Sequence, residues 1–70
     1  MLITGELVNH GQHVHRFIVT PDLEGWEVLE EEDTVVLKRV HRGRWQRVEA
    51  DVQLFEMSVE SLKEEGWMEN

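Results

Sequence analysis

Three histidines near the N-terminus have side chains that can bind metal ions or transfer protons. His10, His13 and His15 have the spacing H-x2-H-x-H. If the first two predicted strands pair so that Glu6 faces His15, then Glu6, His13 and His15 form a candidate metal site. Imidazole and carboxylate ligands suit zinc, iron or nickel. We favour the simpler interpretation, in which these side chains form a polar strand face that happens to be rich in histidine.

A second candidate is a cluster of basic residues in the second half of the chain. Five of the seven lysines and arginines fall between positions 38 and 47, where no acidic residue occurs. They are Lys38, Arg39, Arg42, Arg44 and Arg47. The cluster leads into the start of a predicted helix, where free backbone N–H groups and the helix dipole attract anions. It could bind a phosphate, a nucleic-acid strand or an acidic partner, but we favour charge balance with nearby glutamates within the fold.

No pairing of a nucleophile with a base, as covalent catalysis requires, is evident in the sequence. There is no cysteine, which excludes disulfides and thiolate metal sites, and no Gly-x-Ser-x-Gly motif around a serine. A glycine-rich phosphate loop or dinucleotide-binding motif is also missing. We therefore expect no enzymatic activity and no cofactor.

Length and charge narrow the class of protein further. The chain has 70 residues, 40% of them hydrophobic, and a net charge of −8. This predicts one folded domain, residues 1–70, whose small core gives marginal stability. The acidity disfavours broad binding to nucleic acids or anionic membranes. Neither a membrane-spanning run nor a signal peptide is expected, which favours a cytoplasmic location.

Alternating apolar residues, separated by turn-forming clusters, predict four strands. The strands are residues 2–8, 13–20, 26–31 and 34–41, and they form two successive antiparallel hairpins. In the first, pairing Val8 with His13 gathers Ile3, Leu7, Val14 and Ile18 on one face. In the second, the turn is placed at Glu32-Asp33 and Trp26 faces Arg39.

A C-terminal helix over residues 44–65 has the clearest periodicity. Apolar residues at helical spacing form one continuous stripe: Trp45, Val48, Val52, Phe55, Val59 and Leu62. Gly43 is a tolerated N-cap, and Gly66 occupies the position of a left-handed C′ residue. Leu62 and Trp67 would then be the pair that accompanies a Schellman ending.

A second, narrower stripe lies on the far side of the same helix. It consists of Ala50, Leu54, Met57 and Ser61. Two large apolar residues flanked by small ones are typical of a shallow helix-packing surface. The stripe predicts a homodimer interface, and the alternative is a set of incidental apolar residues on the surface.

The predicted fold is α+β, a four-stranded antiparallel sheet followed by one amphipathic helix, ββββα. This order is similar to the Whirly and transcriptional-coactivator group of single-strand-binding domains, a resemblance that implies dimerisation through the helix. Our leading hypothesis is a non-enzymatic, homodimeric protein-interaction module. The alternatives are a nucleic-acid or phosphate-binding domain that uses segment 38–47 and a metal-binding protein that uses the histidine-rich hairpin.

Overall fold

The computed structural model describes residues 3–70 and confirms the predicted ββββα order. Its elements are β1 (Ile3–Val8), β2 (Val14–Asp22), β3 (Gly25–Glu32), β4 (Val35–Arg42), α1 (Trp45–Glu64) and β5 (Met68–Glu69). The strands form one sheet in the order β4-β3-β2-β1-β5. The short β5, which the sequence analysis did not predict, pairs antiparallel with the end of β1. No helix in this described part of the chain is long and apolar enough to cross a membrane.

The core lies between α1 and one face of the sheet. Its buried apolar residues are Leu7, Phe17, Val19 and Val28 from the sheet and Val48, Phe55 and Val59 from the helix. Val52 and Leu62 of the predicted stripe are partly buried against this core. Trp45 is more exposed. Its ring meets that of Trp26 edge-on, with 5.2 Å between the ring centroids. The predicted core-facing stripe is therefore confirmed from Val48 to Leu62, whereas Trp45 lies outside the core.

The ring of Phe55 from α1 lies directly over Gly5 of β1. A Cβ atom at this position would lie 2.7 Å from the ring of Phe55. That ring is stacked on Phe17, with 4.6 Å between ring centroids. Glycine at this position of β1 therefore leaves space for the Phe55 ring.

The predicted register of the first hairpin is wrong by one residue. Val8 pairs with Val14, not with His13. The reason is the loop, in which Asn9 and His13 close a three-residue connection and Gln12 has a positive φ of 64°. A turn followed by one left-handed residue is a common three-residue hairpin loop. Because side chains alternate, the shift buries His15, Phe17 and Val19 in place of Val14 and Ile18.

The second hairpin is shifted by three residues from the prediction. The turn accounts for two residues of this shift, since its central residues are Asp33 and Thr34, both with positive φ. A bulge between Glu30 and Glu31 accounts for the third. Trp26 consequently pairs with Arg42 and not with Arg39.

The C-terminal end of α1 was predicted correctly from the sequence, and the N-cap was not. The N-cap is Arg44, without a side-chain cap, and not Gly43. The C-terminal prediction is confirmed: Gly66 has a φ of 101°, and the N–H of Trp67 donates to the carbonyl of Leu62 at 3.0 Å. This is the bond that defines a Schellman ending.

Candidate functional site

The predicted metal ligands Glu6, His13 and His15 do not come together. The corrected register places Glu6 opposite Arg16, whose Nε donates to it at 2.9 Å. His13 instead contacts Asp33 at the hairpin end. Among residues 3–70, no three histidine or carboxylate side chains are grouped so as to hold a metal ion.

His15 is a buried core residue, a role that the sequence analysis did not foresee. The residue is only 5% exposed. The imidazole Nε2 lies 2.7 Å from Oε2 of Glu30, and Nδ1 lies 3.2 Å from Oε1 of Glu32. The ring stacks on Phe55 and meets Trp67 edge-on, with centroids 6.1 and 6.2 Å away. A single polar side chain thus links β2, β3, α1 and the C-terminal segment.

The basic segment is divided between the two faces of the sheet. Lys38 and Arg42 point towards α1 and bind the same carboxylate, that of Asp51. Lys38 Nζ donates to Oδ1 at 2.8 Å, whereas Arg42 donates to both oxygens at 2.8 and 3.1 Å. Asp51 is only 3% exposed. These two cations therefore balance a buried charge inside the fold.

The other three basic residues have different surroundings. Arg39 lies on the outer face, where its Nε is 4.0 Å from Glu27. Arg44 and Arg47 are exposed at the start of α1. The five residues proposed for anion binding therefore do not form one continuous surface, and binding at Arg44 and Arg47 stays a prediction.

The environment of Asp51 holds its carboxyl in the ionised form. Burial by itself raises the pKa, but the hydrogen bonds from Arg42 and Lys38 together outweigh burial and lower the pKa below its ordinary value. The same contact raises the pKa of Arg42. Asp51 and Arg42 thus remain charged together near neutral pH.

Stability in acid is expected to depend on Asp51. Because its pKa is lower in the folded chain than in the unfolded chain, ionised Asp51 stabilises the fold above about pH 4. This contribution is lost as the pH falls through the lowered pKa. Urea denaturation of Asp51→Asn should show a smaller loss of stability between about pH 6 and pH 3 than the unsubstituted chain. Glu49→Gln, which removes an exposed carboxyl from the same helix, is the control, and an unchanged pH dependence in Asp51→Asn would contradict the prediction.

The residues predicted to form the dimer interface all lie on the exposed side of α1. Ala50 and Ser61 are exposed, and the larger side chains of Leu54 and Met57 are each more than half exposed. The stripe is therefore available to a partner.

The outer edge of β4 is a second apolar surface, which the sequence analysis missed. Val35, Val36 and Leu37 are 63%, 46% and 57% exposed. Within residues 3–70, no strand pairs with this edge, since β4 is the last strand of the sheet. The signal in the sequence was three consecutive apolar residues, which break the alternation of a strand with one buried face.

A groove runs along the opposite edge of the sheet, between α1 and β1. It has a volume of about 450 Å³ and is floored by Phe17, Phe55 and Val59. The fifth strand closes only one end of it, where Asn70 donates from its backbone N–H to the carbonyl of Glu6. The Asn70 side chain also binds the Glu6 carboxylate and, with Arg16, lowers its pKa.

The chain was also compared with protein-family models, with curated proteins and with solved structures, and no match was found.

Proposed function

We propose that the protein is a non-enzymatic protein-interaction module that forms a homodimer. The observation that carries the proposal is the apolar outer edge of β4, formed by Val35, Val36 and Leu37. A strand edge presents unpaired N–H and C=O groups to solvent, and a run of apolar residues such as 35–37, which precedes the first charged residue of β4, favours pairing with another strand. A small domain also gains stability from a partner subunit.

The exposed stripe of α1 lies on the same side of the molecule as β4. Asp51 shows this, because it reaches Lys38 and Arg42 of that strand. Leu54 follows Asp51 by three residues. Its side chain therefore lies about 60° around the helix from Asp51, in the direction away from the core. Antiparallel pairing of β4 with β4 of a second copy would continue the sheet and place both helices on one face. The β4 edge and the Leu54 side of α1 would then be covered together.

Charge limits the register of this pairing. The last five residues of β4 include four basic side chains, Lys38, Arg39, His41 and Arg42. A two-fold axis among these residues would oppose like charges, which is unfavourable. An axis near Val36 instead places Val35 across from Leu37. We therefore place the centre of the dimer at the apolar end of the strand.

Sedimentation equilibrium tests this interface. The unsubstituted chain is expected to have twice the chain mass, whereas Val36→Lys should be monomeric because a charged side chain in the middle of the apolar run 35–37 opposes pairing. Leu54→Glu combined with Met57→Glu should weaken the dimer through the helix surface. Thr20→Lys places the same charge at an exposed position of the internal strand β2 and should leave the dimer intact.

Two results would contradict the proposal. A monomeric unsubstituted chain at all accessible concentrations would exclude the homodimer. A Val36→Lys variant that is folded and still dimeric would exclude pairing through β4. Circular dichroism of each variant establishes that the fold is retained.

A further inference from the structure

The groove between α1 and β1 has an apolar floor and extends along most of the helix. Next to the part floored by Phe17 and Phe55 lies a second hollow of about 310 Å³. The two hollows share Ile3, Val52 and Glu56. Together they form an elongated slot, which suits an extended segment of polypeptide better than a compact small molecule.

One side of the slot offers unpaired backbone groups. The carbonyl of Glu6 points away from β2, since it accepts the N–H of Asn70. Residues two apart in an antiparallel strand direct their N–H and C=O groups to the same side. The backbone groups of Thr4 therefore also face outward, beyond the end of β5. Within residues 3–70, β5 pairs only with the Leu7 and Val8 end of β1.

The other side of the slot is acidic. Glu56 and Glu60 of α1 line the larger hollow, and Glu49 lines the smaller one. Lys63 is the one basic residue lining either hollow, and its Nζ lies 3.4 Å from Glu69. Lys63 is thus paired with Glu69 and not with the row of three glutamates.

We propose that this groove binds an extended, lysine- or arginine-rich segment of a partner protein, which adds to β1 as a strand in line with β5. The backbone of the segment pairs with Thr4. Side chains on the helix-facing side of the segment lay their aliphatic stems over Val52 and Phe55 and direct their charges to Glu56 and Glu60. The site lies at the opposite edge of the sheet from β4 and does not depend on self-association.

Binding of a defined peptide tests the charge part of the proposal. The probe is a short fluorescein-labelled peptide of alternating lysine and valine, followed by fluorescence anisotropy at low salt. We expect saturable binding, with no binding of the matched glutamate–valine peptide. Glu56→Lys combined with Glu60→Lys should reduce affinity at least about tenfold. Glu64→Lys combined with Glu65→Lys makes the same change in net charge outside the groove, and it should have a much smaller effect.

A backbone variant tests strand addition. Thr4→Pro removes the outward N–H, and proline is tolerated where the N–H of an edge strand faces solvent. We expect it to abolish saturable binding of the peptide. If Thr4→Pro fails to fold, amide hydrogen exchange on the unsubstituted chain replaces it, and the peptide should slow exchange of the Thr4 N–H. Val36→Lys should bind the peptide with the same affinity as the unsubstituted chain. Loss of the β4 dimer and loss of peptide binding in the groove are therefore separate results.

Three results would overturn the proposal. Equal losses of peptide affinity in Glu56→Lys/Glu60→Lys and in Glu64→Lys/Glu65→Lys would mean that the peptide binds only through long-range attraction to the acidic chain. Unchanged affinity in a folded Thr4→Pro variant, or unchanged exchange at Thr4, would exclude strand addition. A lower sedimentation mass of Glu56→Lys/Glu60→Lys without peptide would assign the groove to a second copy of this chain.

Discussion

Replacement of Asp51 by alanine is expected to lower the free energy of unfolding by about 2–3 kcal/mol. The substitution leaves Lys38 and Arg42 without the carboxylate that accepts three of their hydrogen bonds. Removing one partner of a buried ion pair costs more than the pair contributes, because an uncompensated charge remains. Both cations are 31% exposed and can turn partly towards water, which places the effect at the lower end of the range for buried pairs. The better helix propensity of alanine offsets a further part, roughly 0.5 kcal/mol.

Urea denaturation near neutral pH measures this effect. Glu49→Ala, an exposed acid-to-alanine change in the same helix, should alter stability by no more than about 0.5 kcal/mol. A double-mutant cycle with Arg42→Ala separates the ion pair from the other effects. The double variant should lose less stability than the two single variants together, because each single change leaves a charge unpaired. Strict additivity would mean that Asp51 and Arg42 do not interact in the folded chain.

Replacement of His15 by alanine is expected to cost about 2–4 kcal/mol. The loss has two parts. Removal of the ring opens a cavity against Phe55 and Trp67, and it separates Glu30 and Glu32 from their shared partner. The glutamates are partly exposed and can be hydrated after the substitution, so most of the loss is expected from packing.

His15→Phe distinguishes packing from hydrogen bonding. It retains a flat ring between Phe55 and Trp67, and we expect a loss of about 1 kcal/mol, the size of a typical net hydrogen bond. His10→Ala, at an exposed position in the hairpin loop, should change stability by no more than about 0.5 kcal/mol. If His15→Phe were as destabilising as His15→Ala, the contacts with Glu30 and Glu32 would dominate. If neither changed stability, His15 would not be part of the core.

Patterns within a few residues of one another predicted the elements of this fold well. The helix predicted over residues 44–65 is observed as Trp45–Glu64, and its glycine ending has the predicted geometry. A helical stripe repeats every three or four residues, so its evidence lies within the helix itself. The same periodicity predicted the exposed face that contains Leu54 and Met57. It did not identify the cap at Arg44, because that residue has no side-chain capping bond.

Pairing between strands was predicted less well, and the errors changed the candidate sites. A single left-handed residue, Gln12, moved His15 from the outer face into the core. The turn at Asp33 and Thr34, followed by a bulge, directed Lys38 and Arg42 towards the helix. These positive φ angles occur at residues other than glycine, and the sequence carries no strong signal for them.

The sequence by itself therefore determined the order of the elements, the side of the helix that faces the core, and its C-terminal stop. Only the tertiary structure decided which residues of different elements meet. It placed His15 of the proposed metal site in a buried cluster and paired Lys38 and Arg42 of the basic segment with Asp51. It also left the β4 edge and the β1 groove uncovered. The physical reason is that strand register has a period of two, so a one-residue change in a loop turns over a whole face, whereas helix periodicity is determined within the helix.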